Sequence, residues 1–314
     1  MRAKIMLLPG RKEDETLCTF AEHILIDVSA AFGHSFSLLR EKTGELSKAA
    51  YGDTLTEETV EACMGCKAVF LCDSGSSGQD LYDALDLPIR VRSLCVPESV
   101  CGRNDRAVTR YEGTVLSLDA DTLRQAMRLA FIMTHEEDIR LVHVPPTGDA
   151  KAEWEAAVRV QEAATHTTAL GMTAPEAVTA MIKAPERMGL LLCPPYAGSI
   201  LSAAGTALCS YPALIHEFSL GGPVSVYAPY LGKSVSPEMR AFSVAIAVSR
   251  LLKYALKLVE EGGCVEAALC NVLANVWGKP GENGASLSAE GIVELICDQI
   301  SVAGELMAKG GIRP

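Results

Sequence analysis

Apolar residues recur along this chain in two rhythms that alternate. "AKIMLLPG", from Ala3, is a short continuous apolar run that ends in a Gly turn, the pattern of a buried strand. "EDETLCTFAEHILIDVSAAFG" carries apolar residues at helical spacing and stops on Gly33, a helix-ending residue. "HSFSLLREK" alternates, which predicts a strand. "LTEETVEACMGC" predicts a helix with Thr56 as N-cap and an acid-rich first turn, Glu57 and Glu58. "KAVFLCDSGSSG" reads as a buried strand running into a Gly/Ser loop. This βαβαβ rhythm predicts an α/β sheet with helices on its faces.

The rhythm breaks at Pro97. "PESVCGRNDRAVTRYEGT" is polar and irregular, and a lobe boundary is expected there. Beyond it follow a helix ("ADTLRQAMRLAFIMTHEE"), a strand ("IRLVHVP") and two helices ("AEWEAAVRVQEAATH", "APEAVTAMIKAP"). Next come the strand "MGLLLC", a helix opening on "YAGSILSAAGTAL", and the strand "GGPVSVYAPY". The C-terminal part reads as helices. The first, "PEMRAFSVAIAVSRLLKYALKLVEEGG", is expected to be amphipathic and to end at Gly262. No internal repeat marks a solenoid.

Composition narrows the function classes. The chain has 314 residues, 49% of them apolar, enough for a substantial core and two lobes. A net charge of -11 does not attract nucleic acid or anionic membranes. No apolar run is long enough to span a membrane. The N-terminus reads as a first strand and not as an export signal, so a cytoplasmic location is expected. Eleven cysteines are an odd number, and Cys72, Cys193 and Cys297 lie in apolar segments as small buried hydrophobes. The single CxxC, Cys63 and Cys66, has no second pair and reads as structural.

The order and spacing of these pieces resemble the isocitrate/isopropylmalate dehydrogenase family. "KIMLLPG" looks like its opening strand and glycine turn, and "LDLPIRVRSLCVP" like its substrate-arginine strand. "MRLAFIMTHEEDIRLVHV" is similar to the helix and strand that lead to its catalytic lysine. Trp154 matches a helix tryptophan found there. "APERMGLLLCPPYAGSILSAAGTAL" aligns with the segment carrying its metal-binding aspartates. The resemblance implies a two-lobed α/β fold, a three-layer αβα sheet whose first domain is discontinuous. That domain, on the dinucleotide side, would span 1–96 and 222–314, and the small dimerisation domain 97–221.

The same resemblance implies an oxidative decarboxylation with NAD or NADP, in which a divalent metal stabilises the developing enolate. Mg²⁺ and Mn²⁺ are hard ions that take oxygen ligands. The family offers two aspartates four apart on one helix face; the matching positions here are Ser199 and Ala203. Its third aspartate falls on Pro175, or on Glu176 with a one-residue slip. Its catalytic lysine falls on Val144, after His143, which strand alternation turns to the opposite face. Of its carboxylate-binding arginines, one is kept as Arg92 and another falls on Tyr82. Arg110 and Tyr111 stand near a third and its tyrosine, in a shortened segment.

On the nucleotide side the glycine-rich turn becomes "GRKEDET" from Gly10. The adenine loop becomes "LGKSVSPEM", where Leu231, Ser236 and Val244 replace its polar anchors and Gly232 alone survives. "SGSSG", with Gly75 and Gly78, remains a permissive loop for a phosphate. The expectation is a dehydrogenase scaffold without the dehydrogenase reaction: no metal, no NAD. Such a protein would bind a small anionic ligand in the old cleft or serve as a partner subunit, and would be a homodimer held by small-residue helices. The rival is an enzyme of altered specificity in the same cleft, with Arg92, Arg110, Tyr111, His143 and Tyr196 as candidates and Ser199 on the substrate side. A purely structural subunit is the third reading.

Overall fold

The computed structural model describes residues 1–73, 78–96, 108–184, 187–207, 214–231, 235–277 and 287–310. The chain opens with β1 (Arg2–Pro9), α1 (Asp14–Phe32), β2 (Ser35–Arg40), α2 (Gly44–Tyr51), α3 (Glu57–Met64), β3 (Ala68–Cys72) and α4 (Gly78–Ala84). There follow β4 (Ile89–Val96), β5 (Val108–Val115), α5 (Ala120–Glu136), β6 (Leu141–His143), α6 (Ala150–Thr165) and β7 (Leu170–Gly171). Then come α7 (Ala174–Lys183), β8 (Leu190–Cys193), α8 (Pro195–Ala207), β9 (Ile215–Leu220) and β10 (Ser225–Pro229). The chain closes with α9 (Pro237–Arg250), a π-helical turn (Leu251–Ala255), α10 (Val259–Trp277) and α11 (Ala289–Gly310).

These elements form two units. The first takes Met1–Leu85, Pro212–His216 and Pro223–Pro314, and so is discontinuous. Its strands run β2-β1-β3-β10, all parallel, with Arg2 opposite Ser35 and Ile5 opposite Ala68. Ile5 to Leu8 of β1 and all of β3 are buried, as strands covered on both faces must be. α1 ends where its sequence stops it: Gly33 takes φ 69° as C-cap, and its N–H reaches the Ser29 carbonyl. The Thr56 hydroxyl accepts from the Thr59 N–H, the expected N-cap of α3. α1, α9, α10 and α11 pack against one another.

The long C-terminal helix differs from its sequence reading. Residues 241–250 of α9 are buried all round, so it is not amphipathic. It does not run to Gly262. The π-turn bonds Leu256 N–H to the Leu251 carbonyl, Lys257 adopts φ 57°, and α10 starts anew at Val259. Gly262 lies inside α10, where a Cβ would stand 2.8 Å from the Ser249 carbonyl, so the position takes glycine. The glycine marks a close crossing and not an end.

The second unit takes Asp86–Tyr211 and Glu217–Gly222. Its strands run β4-β5-β8-β6-β7, with β4–β5 antiparallel and the rest parallel. β9 joins it beside β4 from Glu217 onward. The segment read as irregular after Pro97 contains β5. Each residue from Val108 to Val115 faces a partner on β4, so β4 itself belongs to this unit although it precedes Pro97. Polar residues on β5 hide a strand whose order comes from its neighbours, since strand formation depends strongly on context. Val142, Val144, Ala177, Met181, Leu191, Cys193, Ala197 and Leu201 form one apolar cluster joining β6 and β8 to α7 and α8.

Candidate functional site

α8 leaves β8 through Pro194 and buries Ala197, Gly198, Leu201 and Gly205. Gly198 is required, because a Cβ there would collide with the Thr114 hydroxyl on β5. The opposite side of α8 is open, and Ser199 and Ala203 both lie on it, one helical turn apart. The Ser199 hydroxyl donates to the Pro195 carbonyl at 3.1 Å, within its own helix. Where two carboxylates would aim at one point, the helix offers an engaged hydroxyl and a methyl. These residues do not fit a hard divalent cation.

Glu176 is the nearest carboxylate to the third family position in sequence, and it has another task. It closes a capping box at the start of α7. Its Oε2 accepts from the Thr173 N–H and hydroxyl, each at 2.8 Å, and the Glu176 N–H returns a bond to the Thr173 hydroxyl at 3.4 Å. Those bonds hold its carboxyl below the ordinary value. Among the described residues, no three His, Cys, Asp or Glu side chains gather so as to hold a metal ion.

Val144, at the position of the catalytic lysine, sits inside the apolar cluster under α7 and α8. His143 turns the other way, as strand alternation predicts. Its Nδ1 accepts from the Trp154 indole N–H at 3.2 Å. Burial lowers its tendency to protonate, against the pull of Glu162 and Glu155. A neutral imidazole bonded to an indole inside the protein is a packing group.

Arg92 stands on β4 and is part-buried. Its Nε donates to Glu217 Oε1 of β9 at 2.8 Å, and its terminal nitrogen reaches the same oxygen. On the other side the register sets buried Glu112 of β5 opposite it. Arg92, the position matched to a family arginine, is therefore paired with a carboxylate of this chain's own. Tyr111 pairs with Ser93, one residue along β4, so it faces away from Arg92. It is fully buried, its hydroxyl donates to Glu137 at 3.2 Å, and its ring meets the edge of Phe218. Arg110 stands on β5 opposite Leu94. Tyr196 is 81% exposed at the start of α8. Arg92 and Tyr111 thus lie on opposite faces of their strands, and Tyr111 is held within the core. Sequence reading missed Glu217 and Glu137: neither belongs to a motif, and Glu217 is 125 residues from Arg92.

The nucleotide-side positions lie in the first unit. Gly10 is tightly held, for a Cβ there would run into the Asp73 carboxyl. Asp14, of the "RKED" substitution, is fully buried and its Oδ2 accepts from the Arg11 N–H at 3.0 Å. Carboxylates therefore stand beside the turn where a phosphate would approach. Gly78 opens α4, and a Cβ there would make ordinary contact with Tyr82 and Leu71, so the backbone does not demand a glycine. Tyr82 is buried. Gly75 and Gly232 lie outside the described residues. Ser236 caps α9, accepting from the Met239 N–H at 3.4 Å, and Val244 is buried in that helix. Burial pushes the Cys63 thiol up to about 12, and raises Cys66 against the pull of Lys4. Neither thiol of the CxxC is poised as a thiolate.

No family model matches the chain. Two curated proteins named 3-isopropylmalate dehydrogenase align over most of it. That of Halalkalibacterium halodurans is 24% identical, covering 96% of this chain and 100% of its own length. That of Moorella thermoacetica is 22% identical, covering 88% and 92%. Among solved structures, isocitrate dehydrogenase from Methylococcus capsulatus superposes with a TM-score of 0.77 at 13% identity, covering 95% of this chain and 99% of that one. A β-decarboxylating dehydrogenase from Thermococcus kodakarensis in its apo form does so with 0.77 at 15% identity, covering 99% of both. No helix among the described residues is long and apolar enough to cross a membrane. Over most of its length the chain is thus similar in sequence to curated 3-isopropylmalate dehydrogenases, and its fold is that of the isocitrate and β-decarboxylating dehydrogenases.

Proposed function

We propose that this chain keeps the dehydrogenase scaffold without metal-dependent, NAD-linked oxidative decarboxylation, and acts as a binding or partner subunit. The observation that carries the reading is the open face of α8, where Ser199 and Ala203 stand in place of two carboxylates. Val144 in the apolar cluster removes the proton relay, and Glu217 occupies Arg92. Each of these groups typically contributes orders of magnitude to rate, so their joint loss outweighs any single change of specificity.

The test is a spectrophotometric assay with Mg²⁺ or Mn²⁺, NAD or NADP, and isocitrate or 3-isopropylmalate. No reduced cofactor should accumulate above the protein-free rate, and metal-dependent turnover at ordinary enzymatic rates would overturn the reading. A homodimer through α7 and α8 is part of the proposal. Ile182 and Ile200 are 59% and 42% exposed on these helices, and small residues allow close packing. Light scattering at micromolar concentration should return twice the chain mass; a monomer sinks this part.

A further inference from the structure

The first unit carries a basic concavity at the N-terminal ends of its parallel strands. It encloses about 620 Å³ and is lined by Arg2, Lys4, Ser35, Ser37, Cys66 and Lys67, among others. Small-molecule sites typically span roughly 300–1,000 Å³. The register explains the gathering. Arg2 and Lys4, two residues apart on β1, point to the same side, and β2 sets Ser35 and Ser37 opposite them. On the other flank the Lys67 N–H bonds to the Lys4 carbonyl at 2.8 Å, which fixes Lys67 alongside. Neighbouring strands lie about 4.8 Å apart and alternate residues about 6.7 Å apart. Three cationic side chains and two hydroxyls thus arise from a patch of about that size.

Two facts describe the charge of this concavity. The chain holds 39 acidic against 28 basic residues, yet no carboxylate lines the concavity. None of Arg2, Lys4 and Lys67 forms an ion pair among the described residues. Some cations elsewhere are matched within the fold: Arg40 by Glu22, Arg92 by Glu217, Arg250 and Lys253 by Glu266.

We propose that this concavity binds a small molecule carrying a phosphate or diphosphate group, with Arg2, Lys4 and Lys67 contacting its oxygens and Ser35 and Ser37 donating hydroxyl hydrogen bonds. A diphosphate presents two anionic centres a few ångströms apart, the scale of the Lys4–Lys67 and Arg2–Lys4 separations. The site is remote in sequence from the positions matched to the family's metal, lysine and adenine loop, and requires no turnover.

Isothermal titration of the full chain with pyrophosphate, inorganic phosphate and citrate tests it. Pyrophosphate should bind tighter than phosphate, and its affinity should fall as salt is raised. The double variant Lys4→Gln/Lys67→Gln should weaken pyrophosphate binding about tenfold or more. Lys151→Gln, an exposed lysine beside Glu155 in the second unit, should leave it unchanged. Circular dichroism checks that the double variant is folded, and Arg2→Gln serves as an independent second variant. Absence of pyrophosphate binding overturns the proposal, as does binding unaffected by both the double variant and Arg2→Gln. Citrate binding tighter than pyrophosphate overturns the phosphate assignment.

Discussion

Two clusters of cations in the first unit handle charge in opposite ways. Arg250 and Lys253 are held by Glu266, at 2.9 Å for the arginine, on helices packed together. Arg2, Lys4 and Lys67 share a concavity that no carboxylate lines. The first cluster completes the fold; the second leaves its charge to whatever approaches from outside. Arg92, which matches a family arginine position, belongs with the first kind, since Glu217 answers it from within the chain. A basic residue at a family position is therefore no sign of a binding site until its counter-charge is known.

Substitutions can break this contrast. The largest effect is expected at Glu266. Burial alone would raise its carboxyl, but the charges and hydrogen bonds of Arg250 and Lys253 hold it below the ordinary value. Glu266→Gln removes the carboxylate charge beside buried Arg250 and Lys253 and should cost about 3–5 kcal/mol in urea unfolding, while pyrophosphate binding at the groove is unchanged. The sign of the pH effect follows. A depressed carboxyl contributes stability that is present above its unfolded value, near 4.5, and is lost as pH falls through its folded value. His216 adds an earlier loss. Its ring is held neutral by burial and by the charges of Arg250 and Lys253, against the bond to the Leu214 carbonyl. Its contribution is present above pH 6.5 and fades as pH falls below it. A pH series of unfolding midpoints should show both declines, and Glu266→Gln should flatten only the lower one.

Smaller effects sharpen the contrast. Glu217→Gln removes the charge from Arg92's partner and should cost about 1 kcal/mol, because the pair is partly solvated. If Arg92 is silenced only by Glu217, this variant gains weak affinity for a carboxylate ligand such as citrate; unchanged binding would assign the silencing to Glu112 as well. Glu176→Ala opens the capping box and should lower the unfolding midpoint slightly without altering any response to Mn²⁺. Smallest of all, Lys4→Gln should change the unfolding free energy by no more than about 0.5 kcal/mol, as for an exposed side chain without an ion pair.

Much of the fold was legible because local and global signals agree. Gly33 ends α1, Thr56 caps α3, and β1 and β3 carry unbroken apolar runs that only strands covered on both faces show. β5 was not legible: Arg110 and Glu112 break its apolar pattern, and its order comes from pairing with β4. The break after α9 was hidden because apolar spacing continues through the π-turn, while Lys257 alone reverses the backbone. At the candidate site, the replacements at Ser199, Ala203 and Val144 could be read directly, since a motif position names its own residue. What occupies Arg92 and Tyr111 could not, because Glu217 and Glu137 come from other elements of the fold. The groove was equally invisible. Its cations sit on β1 and ahead of β3, brought side by side only by strand register.

The discontinuity of the first unit orders events during synthesis. β1, α1 and β3 are made early, yet α1 packs against α9 and α11, which are made much later, from Pro237 and Ala289 onward. Gly304 of α11 lies so close to α1 that a Cβ would stand 2.8 Å from the Ala31 carbonyl, so the two helices must meet in final form. The second unit, nearly all of it from one continuous stretch, is complete long before that contact can form. The part of α1 that packs on α9 and α11 must wait uncovered through most of translation. A chain truncated before Ala289 should emerge with a finished second unit and an unsealed, chaperone-binding first one.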